Sequence, residues 1–155
     1  MIRFTKVRLP YGWLSNMAPF PIMYNGKEWL TSEALFQAMR FDNEEIIELI
    51  RAQRSPMSAK MKAKANKLSY IIEPMSEQDV ANMKLCVKLK IEQHPLLKGQ
   101  LLATGTMLIV EDIEKRKGVN HFFWGAKLIN GVWEGNNMMG KIWMEFRDSI
   151  RNGTF

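Results

Sequence analysis

The chain of 155 residues is 46% hydrophobic and carries a formal net charge of +6, which suits one soluble domain and an anionic partner, whether nucleic acid, nucleotide or phosphorylated metabolite. A single cysteine, Cys86, excludes an internal disulfide and a multi-cysteine zinc site, and two histidines, His94 and His121, give no ligand spacing from which to expect a metal. No apolar run approaches the roughly 20 residues of a membrane-spanning helix, and the opening MIRFTKVRLP lacks the apolar stretch of a secretion signal, so a cytoplasmic protein without membrane contact is expected.

No repeat, low-complexity tract or long linker divides the chain, and residues 1–155 are expected to form one domain. Residues 2–8 read as a strand with Ile2, Phe4 and Val7 on its apolar side. Pro10 to Pro21, with its Pro-Tyr-Gly-Trp and Ser15-Asn16 segments, reads as a structured loop. Asn25-Gly26 between Ile22-Met23-Tyr24 and Lys27-Glu28-Trp29 is a hairpin signature. Thr31-Ser32 then caps a helix from Glu33 to Phe41, and Asp42-Asn43 caps a second from Glu44 to about Ala52, with Ile46, Ile47, Leu49 and Ile50 toward the core. Ser55-Pro56 opens a lysine-rich third helix to about Leu68. Ser76 begins a longer one to about Gln93, on which Val80, Met83, Val87 and Ile91 recur as one buried stripe. His94-Pro95 ends it, and a short helix follows from Leu96 to Ala103. Met107 to Glu111 reads as a buried strand, Phe122 to Asn137 as an aromatic and glycine-rich stretch turning at Asn130-Gly131, and Met138 to about Ile150 as the last helix, with Met139, Ile142, Trp143, Phe146 and Ile150 on one face. The fold class expected is α+β, mainly helical, with a few short strands.

Four segments carry polar groups beyond the needs of a core. The first is Leu14-Ser15-Asn16, where a local turn accounts for Asn16 equally well. The second is the helix start around Glu33, whose spacing puts Glu33, Phe36, Gln37 and Arg40 on one face. Glu33 lies in the first turn, where the helix dipole favours a carboxylate; that suits a base, a nucleophile or a stabiliser of positive charge, and equally an acid that merely serves the dipole. The third is Glu111-Asp112 at a strand end. In the fourth, Trp124 beside Gly125 can stack on a flat base or sugar, and Gly135-Asn136-Asn137 before a helix can offer backbone amides to phosphate or ribose oxygens. A core tryptophan and a helix cap account for the same residues. Lys60, Lys62, Lys64 and Lys67 share no narrow stripe, and Lys84, Lys88 and Lys90 flank an apolar face; both groups read as solvated basic surface, without the interleaved aromatics of a nucleic-acid groove.

Taken together and in order, these segments resemble the NADAR (YbiA-like) family. Leu14-Ser15-Asn16-Met17 is similar to its F-S-N-F element, and Trp29 through Phe41 to W/Y-x-T/S-x-E-x-x-F-Q-A-x-K-F. Lys90 to Pro95 is similar to K-F-x-Q-x-P, Leu101 to Glu111 to L-L-x-T-G-x-x-x-I-V-E, and Phe123-Trp124-Gly125 to F-W-G. Gly135 to Arg147 resembles G-x-N-x-x-G-x-x-x-M-E-x-R. The likeness spans residues 12–147.

The resemblance implies an N-glycosidase that needs no cofactor and hydrolyses a ribosyl C–N bond. Its substrate would be an ADP-ribosylated nucleobase such as guanine, free or carried in nucleic acid, or a ribosylamino-pyrimidine phosphate. Glu33 matches the family's catalytic glutamate, while Trp124 with Gly125, and Asn136 or Asn137, match ligand-binding elements; Asn16 and Gln37 are expected to bind substrate in the same site. His121 stands where the family pattern carries an aspartate. Histidine ordinarily titrates near neutral pH, which makes His121 a candidate to protonate the leaving nitrogen. Arg3, Arg40 and Lys64 are alternatives for a phosphate. The competing class is a non-catalytic binder of ADP-ribose or nucleotide.

Overall fold

The computed structural model describes residues Met1–Phe155. In chain order the elements are β1 (Ile2–Phe4), β2 (Ile22–Tyr24), β3 (Lys27–Trp29), α1 (Ser32–Ala38), α2 (Glu44–Arg51), α3 (Pro56–Ala65), α4 (Glu77–Gln93), α5 (Pro95–Ala103), β4 (Ile109–Glu111), α6 (Val119–Trp124), β5 (Lys127–Ile129), β6 (Val132–Glu134) and α7 (Met138–Asn152), with single 3-10 turns at Gly12–Leu14 and Lys67–Ser69. The fold class is α+β. Packing divides the chain into two compact units, one contiguous (Asn16–His94) and one built from both ends (Met1–Ser15 with Pro95–Phe155).

The contiguous unit is organised around α1. Each of the four helices here starts where a short polar side chain takes up an orphan amide: Thr31 Oγ1 accepts from Ala34 N (3.1 Å), Asn43 Oδ1 from Ile46 N (3.2 Å), Ser55 Oγ from Ser58 N (3.0 Å) and Ser76 Oγ from Asp79 N (3.2 Å). The β2–β3 hairpin turns at Asn25-Gly26, both at positive φ, and pairs Ile22 with Trp29. Every residue of α1 from Ser32 to Ala38 is buried, and the helix packs on α2, α3, α4 and β3. Burying Ser32, Glu33 and Gln37 along with the apolar residues obliges each polar group to find a partner.

In the other unit β1 and β4 form a parallel pair, with Ile2 opposite Ile109 and Phe4 opposite Glu111. Ile2, Phe4, Ile109 and Val110 are buried, and α7 lies against β4 through Met139, Gly140, Ile142 and Trp143. Trp143 donates its indole N–H to the Leu14 carbonyl (3.0 Å), with Trp13 edge-on at 5.8 Å. Arg147, one turn further on, donates to Thr104 Oγ1 (2.9 Å) and the Met107 carbonyl (2.8 Å), holding the loop before β4. Beyond β4, Ala126 N donates to the Glu111 carbonyl (2.9 Å), and the β5–β6 hairpin turns at Asn130-Gly131.

Several expectations change. The first strand stops at Phe4, because Lys6 and Arg8 are exposed and the chain turns there; Val7 is exposed and supplies no apolar side. Likewise β4 covers only Ile109–Glu111, with Met107 and Leu108 exposed. Helix α1 starts at Ser32 and ends at Ala38, three residues short of Phe41, as the Met39 and Arg40 amides tighten onto Phe36 and Gln37 carbonyls. Helix α3 ends at Ala65, where Asn66 Nδ2 donates back to the Lys62 carbonyl (2.9 Å), and Leu68 is 97% exposed. On α2, Leu49 faces solvent. The buried stripe of α4 includes Asp79, Asn82, Cys86 and Lys90 as well as Met83, Val87 and Ile91, while Val80 is half-buried. Lys90 is therefore no part of a solvated surface. Helix α6 was not expected.

Candidate active site

In the contiguous unit, the residues expected to act with Glu33 converge on it. Glu33 is 7% exposed, and both carboxylate oxygens accept hydrogen bonds: Oε1 from Gln37 Nε2 (2.9 Å), one helical turn on, and Oε2 from Asn16 Nδ2 (3.3 Å). The backbone adds a tie, Glu33 N donating to the Asn16 carbonyl (3.2 Å). Asn16 is fixed in turn, its Oδ1 accepting from Ser32 Oγ (2.6 Å) and its Nδ2 lying 3.0 Å from Met83 Sδ on α4. The Pro-rich loop thus delivers Asn16 to the head of α1.

Behind Gln37 lies a buried ion pair. Arg40 grips Asp79 with two bonds, Nε to Oδ1 (2.9 Å) and Nη2 to Oδ2 (2.8 Å), and donates Nη1 to Gln37 Oε1 (3.5 Å). Its guanidinium lies over the Phe36 ring (4.8 Å) and near Tyr70 (5.4 Å). Burial works against the charge on Arg40, but the hydrogen bonds and attraction of Asp79, aided by Tyr70, outweigh it and the net shift is upward. Arg40 is therefore matched to Asp79 inside the fold and is not a phosphate contact. Glu33 makes no ion pair of its own. Its charge is felt on α4, where burial and then Glu33 push the Cys86 thiol up.

In the other unit, the backbone gathers Trp124, Gly125, Asn136 and Asn137. Asn136 N donates to the Phe122 carbonyl (2.7 Å) and Asn137 N to the Gly125 carbonyl (3.0 Å), so these two amides are engaged inside the fold and are not open to phosphate. The Asn137 carboxamide is engaged as well: Nδ2 donates to the Ile109 carbonyl (2.9 Å) and Oδ1 accepts from Glu111 N (3.0 Å), clamping β4. The Asn136 side chain is exposed. Trp124 is buried with Phe123 edge-on at 4.9 Å. A Cβ on Gly125 would meet Ile113 Cγ2 at 2.5 Å, the Glu111 carbonyl oxygen at 2.7 Å and Glu111 Oε2 at 3.1 Å, so the Phe-Trp-Gly turn fits only glycine, and Glu111 lies against Gly125. His121 holds Nδ1 on the Lys117 carbonyl (2.7 Å); a carbonyl only accepts, so Nδ1 carries a proton and Nε2 points elsewhere. Arg3 lies 3.6 Å from Asp112, and Lys64 is exposed on α3.

A sequence profile of the NADAR domain matches residues 3–151. The chain belongs to the NADAR family. Among its NADAR relatives, the N-glycosidase YbiA of Escherichia coli is 36% identical over 152 residues, 97% of this chain and 88% of that one. An N-glycosidase of Nostoc punctiforme is 31% identical over 154 residues, 97% of this chain and 93% of its own. A riboflavin biosynthesis protein of Vibrio vulnificus is 31% identical over 146 residues, which are 36% of that longer protein. The solution structure of YbiA from E. coli superposes with a TM-score of 0.81, covering 98% of this chain and 85% of that one at 32% identity. No helix is long and apolar enough to cross a membrane. Two members of the Glu33 network escaped the sequence reading, Ser32 and Asp79. The sequence marks Ser32 only as part of a cap, and for Asp79 the available signal is a carboxylate on the apolar stripe of α4.

Proposed function

We propose that this NADAR protein is an N-glycosidase that hydrolyses a ribosyl C–N bond, in an ADP-ribosylated nucleobase such as guanine or in a ribosylamino-pyrimidine phosphate. The observation that carries the reading is the set of partners around the Glu33 carboxylate. A buried carboxylate usually meets a cation; here the neighbouring cation, Arg40, is already matched to Asp79, and Glu33 meets only neutral amide donors. The cluster thus holds a buried carboxylate that no cation is bonded to. Cleavage of a glycosyl bond builds positive charge at the anomeric carbon, and a fixed negative charge is worth most against a charge that appears only in the transition state.

In this reading the C–N bond breaks with its electron pair going to nitrogen, water adds its hydroxyl to the anomeric carbon, and protons are passed so that the base leaves neutral. Glu33 stabilises the cation and orients the water. By the family resemblance His121 is the proposed proton donor. With Nδ1–H on the Lys117 carbonyl, it must be protonated on both ring nitrogens to give its Nε2 proton to the leaving nitrogen; the proton released by the attacking water passes to solvent, from which Nε2 is recharged. By the family resemblance Trp124, and Asn136 with its exposed side chain, are the proposed substrate-binding residues of the other unit. Asn16 and Gln37 hold Glu33 and do not need to touch substrate. The names of the E. coli and N. punctiforme relatives support the reaction class.

The test is incubation with ADP-ribosylated guanine nucleotide or DNA, a ribosylamino-pyrimidine phosphate and NAD, followed by chromatography for the free base. Turnover of one of them, lowered by orders of magnitude in Glu33→Gln with ligand affinity much less affected, is expected. Near-normal turnover in that variant removes Glu33 from the mechanism. Absence of product from every substrate, with saturable ADP-ribose binding, makes the protein a binder instead.

A further inference from the structure

We infer that Arg40 and Asp79 are positioning residues: acting through Gln37, they set which way a side-chain amide faces Glu33 and keep a cation from cancelling its charge. The inference rests on the glycosidase reading for its kinetic consequence, and on the geometry alone for its structural one.

A glutamine amide has a donor end and an acceptor end of nearly equal size, and nothing in its shape chooses between them. At Gln37 the choice is forced from behind. A guanidinium only donates, so Arg40 Nη1 at 3.5 Å requires the Gln37 oxygen on its side. The Gln37 NH2 group then faces Glu33 Oε1 at 2.9 Å. With the amide reversed, its oxygen would oppose the carboxylate and its NH2 would oppose the guanidinium, two repulsive contacts in place of two favourable ones. Asn16 shows the same logic on the other oxygen: Ser32 Oγ occupies Asn16 Oδ1 at 2.6 Å, leaving Nδ2 for Glu33 Oε2. Both amides are thus oriented by groups that do not touch Glu33.

Arg40 holds this place only because Asp79 fixes it. The pair is bidentate, with side chains 7% and 0% exposed, and Asp79 is itself anchored by Met75 N (2.8 Å) and by its own amide on Ser76 Oγ (3.2 Å). A bidentate grip fixes the guanidinium plane as well as its position. Without Asp79, the buried positive charge on Arg40 would have Glu33 as the nearest unmatched carboxylate of this network. The charge that serves the reaction would then be opposed in the ground state.

Arg40→Met, Arg40→Lys, Asp79→Asn and Gln37→Leu test this. Two readouts apply: kcat and KM on whichever substrate the wild-type protein turns over, and the 15N–1H side-chain signal of Gln37 in the protein without substrate, assigned by its loss in Gln37→Leu. Arg40→Met, Asp79→Asn and Gln37→Leu are expected to lower kcat about 10- to 100-fold, the range of residues that orient a reacting group from behind, with KM within about threefold. Arg40→Lys, which keeps a cation beside Asp79 but loses the bidentate grip, is expected to fall between the wild type and Arg40→Met. The Gln37 NH2 protons should exchange slowly with water in the wild type, fastest in Arg40→Met and at an intermediate rate in Arg40→Lys. Unchanged kcat in Arg40→Met, or a Gln37 signal indifferent to Arg40, overturns the inference. So does a loss in which kcat, KM and melting temperature all collapse together in Arg40→Met and Gln37→Leu, since that is the mark of a merely structural pair. If Asp79→Asn does not fold, the Arg40 and Gln37 variants decide. If the wild type turns over no substrate, the glycosidase reading fails and the Gln37 signal alone judges the positioning.

Discussion

Lys90 makes the protein's stability a function of pH in a way that can be worked out from its surroundings. It is 0% exposed on α4, with Nζ 5.0 Å from the centre of the Phe20 ring. Burial pushes its ammonium down from 10.5 to about 7. The unfolded chain keeps this proton until pH 10.5, whereas the folded protein releases it near 7. Between those limits the unfolded state binds more protons, so stability rises with pH at about 1.4 kcal/mol per unit. Below the window both states hold the proton and the full cost of burying the charge is present, on the order of 5 kcal/mol for a shift of this size; above it that cost is gone. Cys86 acts in the opposite sense, because its thiol is pushed up on folding and its unfolded form ionises near 9, so pH 6.5 to about 8.5 isolates the lysine best. Urea unfolding of the wild type and of Lys90→Met across this range is the assay. The methionine variant should be more stable at the acid end, by a few kcal/mol, on the order of the burial cost. Its advantage should shrink as pH rises above 7. A difference that stays constant with pH, or one that grows, refutes the reasoning.

Gly140 is packed so closely that an added Cβ would collide with the Ile109 carbonyl and the Asn137 side chain; Gly140→Ala should lower stability by about 1–3 kcal/mol, read as a fall of roughly 2–12 °C in Tm by calorimetry, and an unchanged Tm would mean that α7 and β4 separate easily. Asn137→Ala removes both bonds to β4 and should cost about 1–3 kcal/mol for the carbonyl and amide left behind; on activity its effect should follow the loss of folded protein, measured as turnover per folded molecule. The buried Cys86 thiol, pushed up by desolvation and by Glu33, should resist a disulfide reagent in the native state and label only as fast as the protein opens. Rapid stoichiometric labelling at neutral pH without unfolding would contradict its burial.

How much of this was legible in the residues depends on whether the decisive interaction is local. Thr31, Asn43, Ser55 and Ser76 are caps that satisfy amides three residues on, and each marks its helix start. Asn25-Gly26 and Asn130-Gly131 make their turns with two residues in the left-handed region, a preference written in those residues alone. The ends of elements were less readable. Phe41 continues the apolar pattern of α1, yet the chain leaves the helix at Ala38, and Arg40 just beyond it bonds Asp79, a partner 39 residues away. Leu49 and Leu68 look like core residues and are exposed, while Lys90 looks like surface and is buried. The grouping of Asn16 with Glu33 and Gln37 was expected from family resemblance, but their roles were not: a side chain that supports a carboxylate and one that binds a sugar look the same until the partner is seen. For Asn137 the clamp on β4 is a tertiary contact with no trace in local spacing.

The parallel pairing of Ile2 with Ile109 sets an order of events during synthesis. The first strand leaves the ribosome early but has nothing to pair with until more than a hundred further residues have emerged, and closing so long a loop is a late, entropically expensive step. The continuous stretch from Asn16 to His94 forms a compact unit of contiguous residues, whose contacts span shorter loops and can form in the meantime. The opening residues are therefore the last to be locked, and in pulse-labelled refolding the amides of Ile2, Arg3 and Phe4 should become protected together with those of Ile109 to Glu111, after the helices surrounding Glu33.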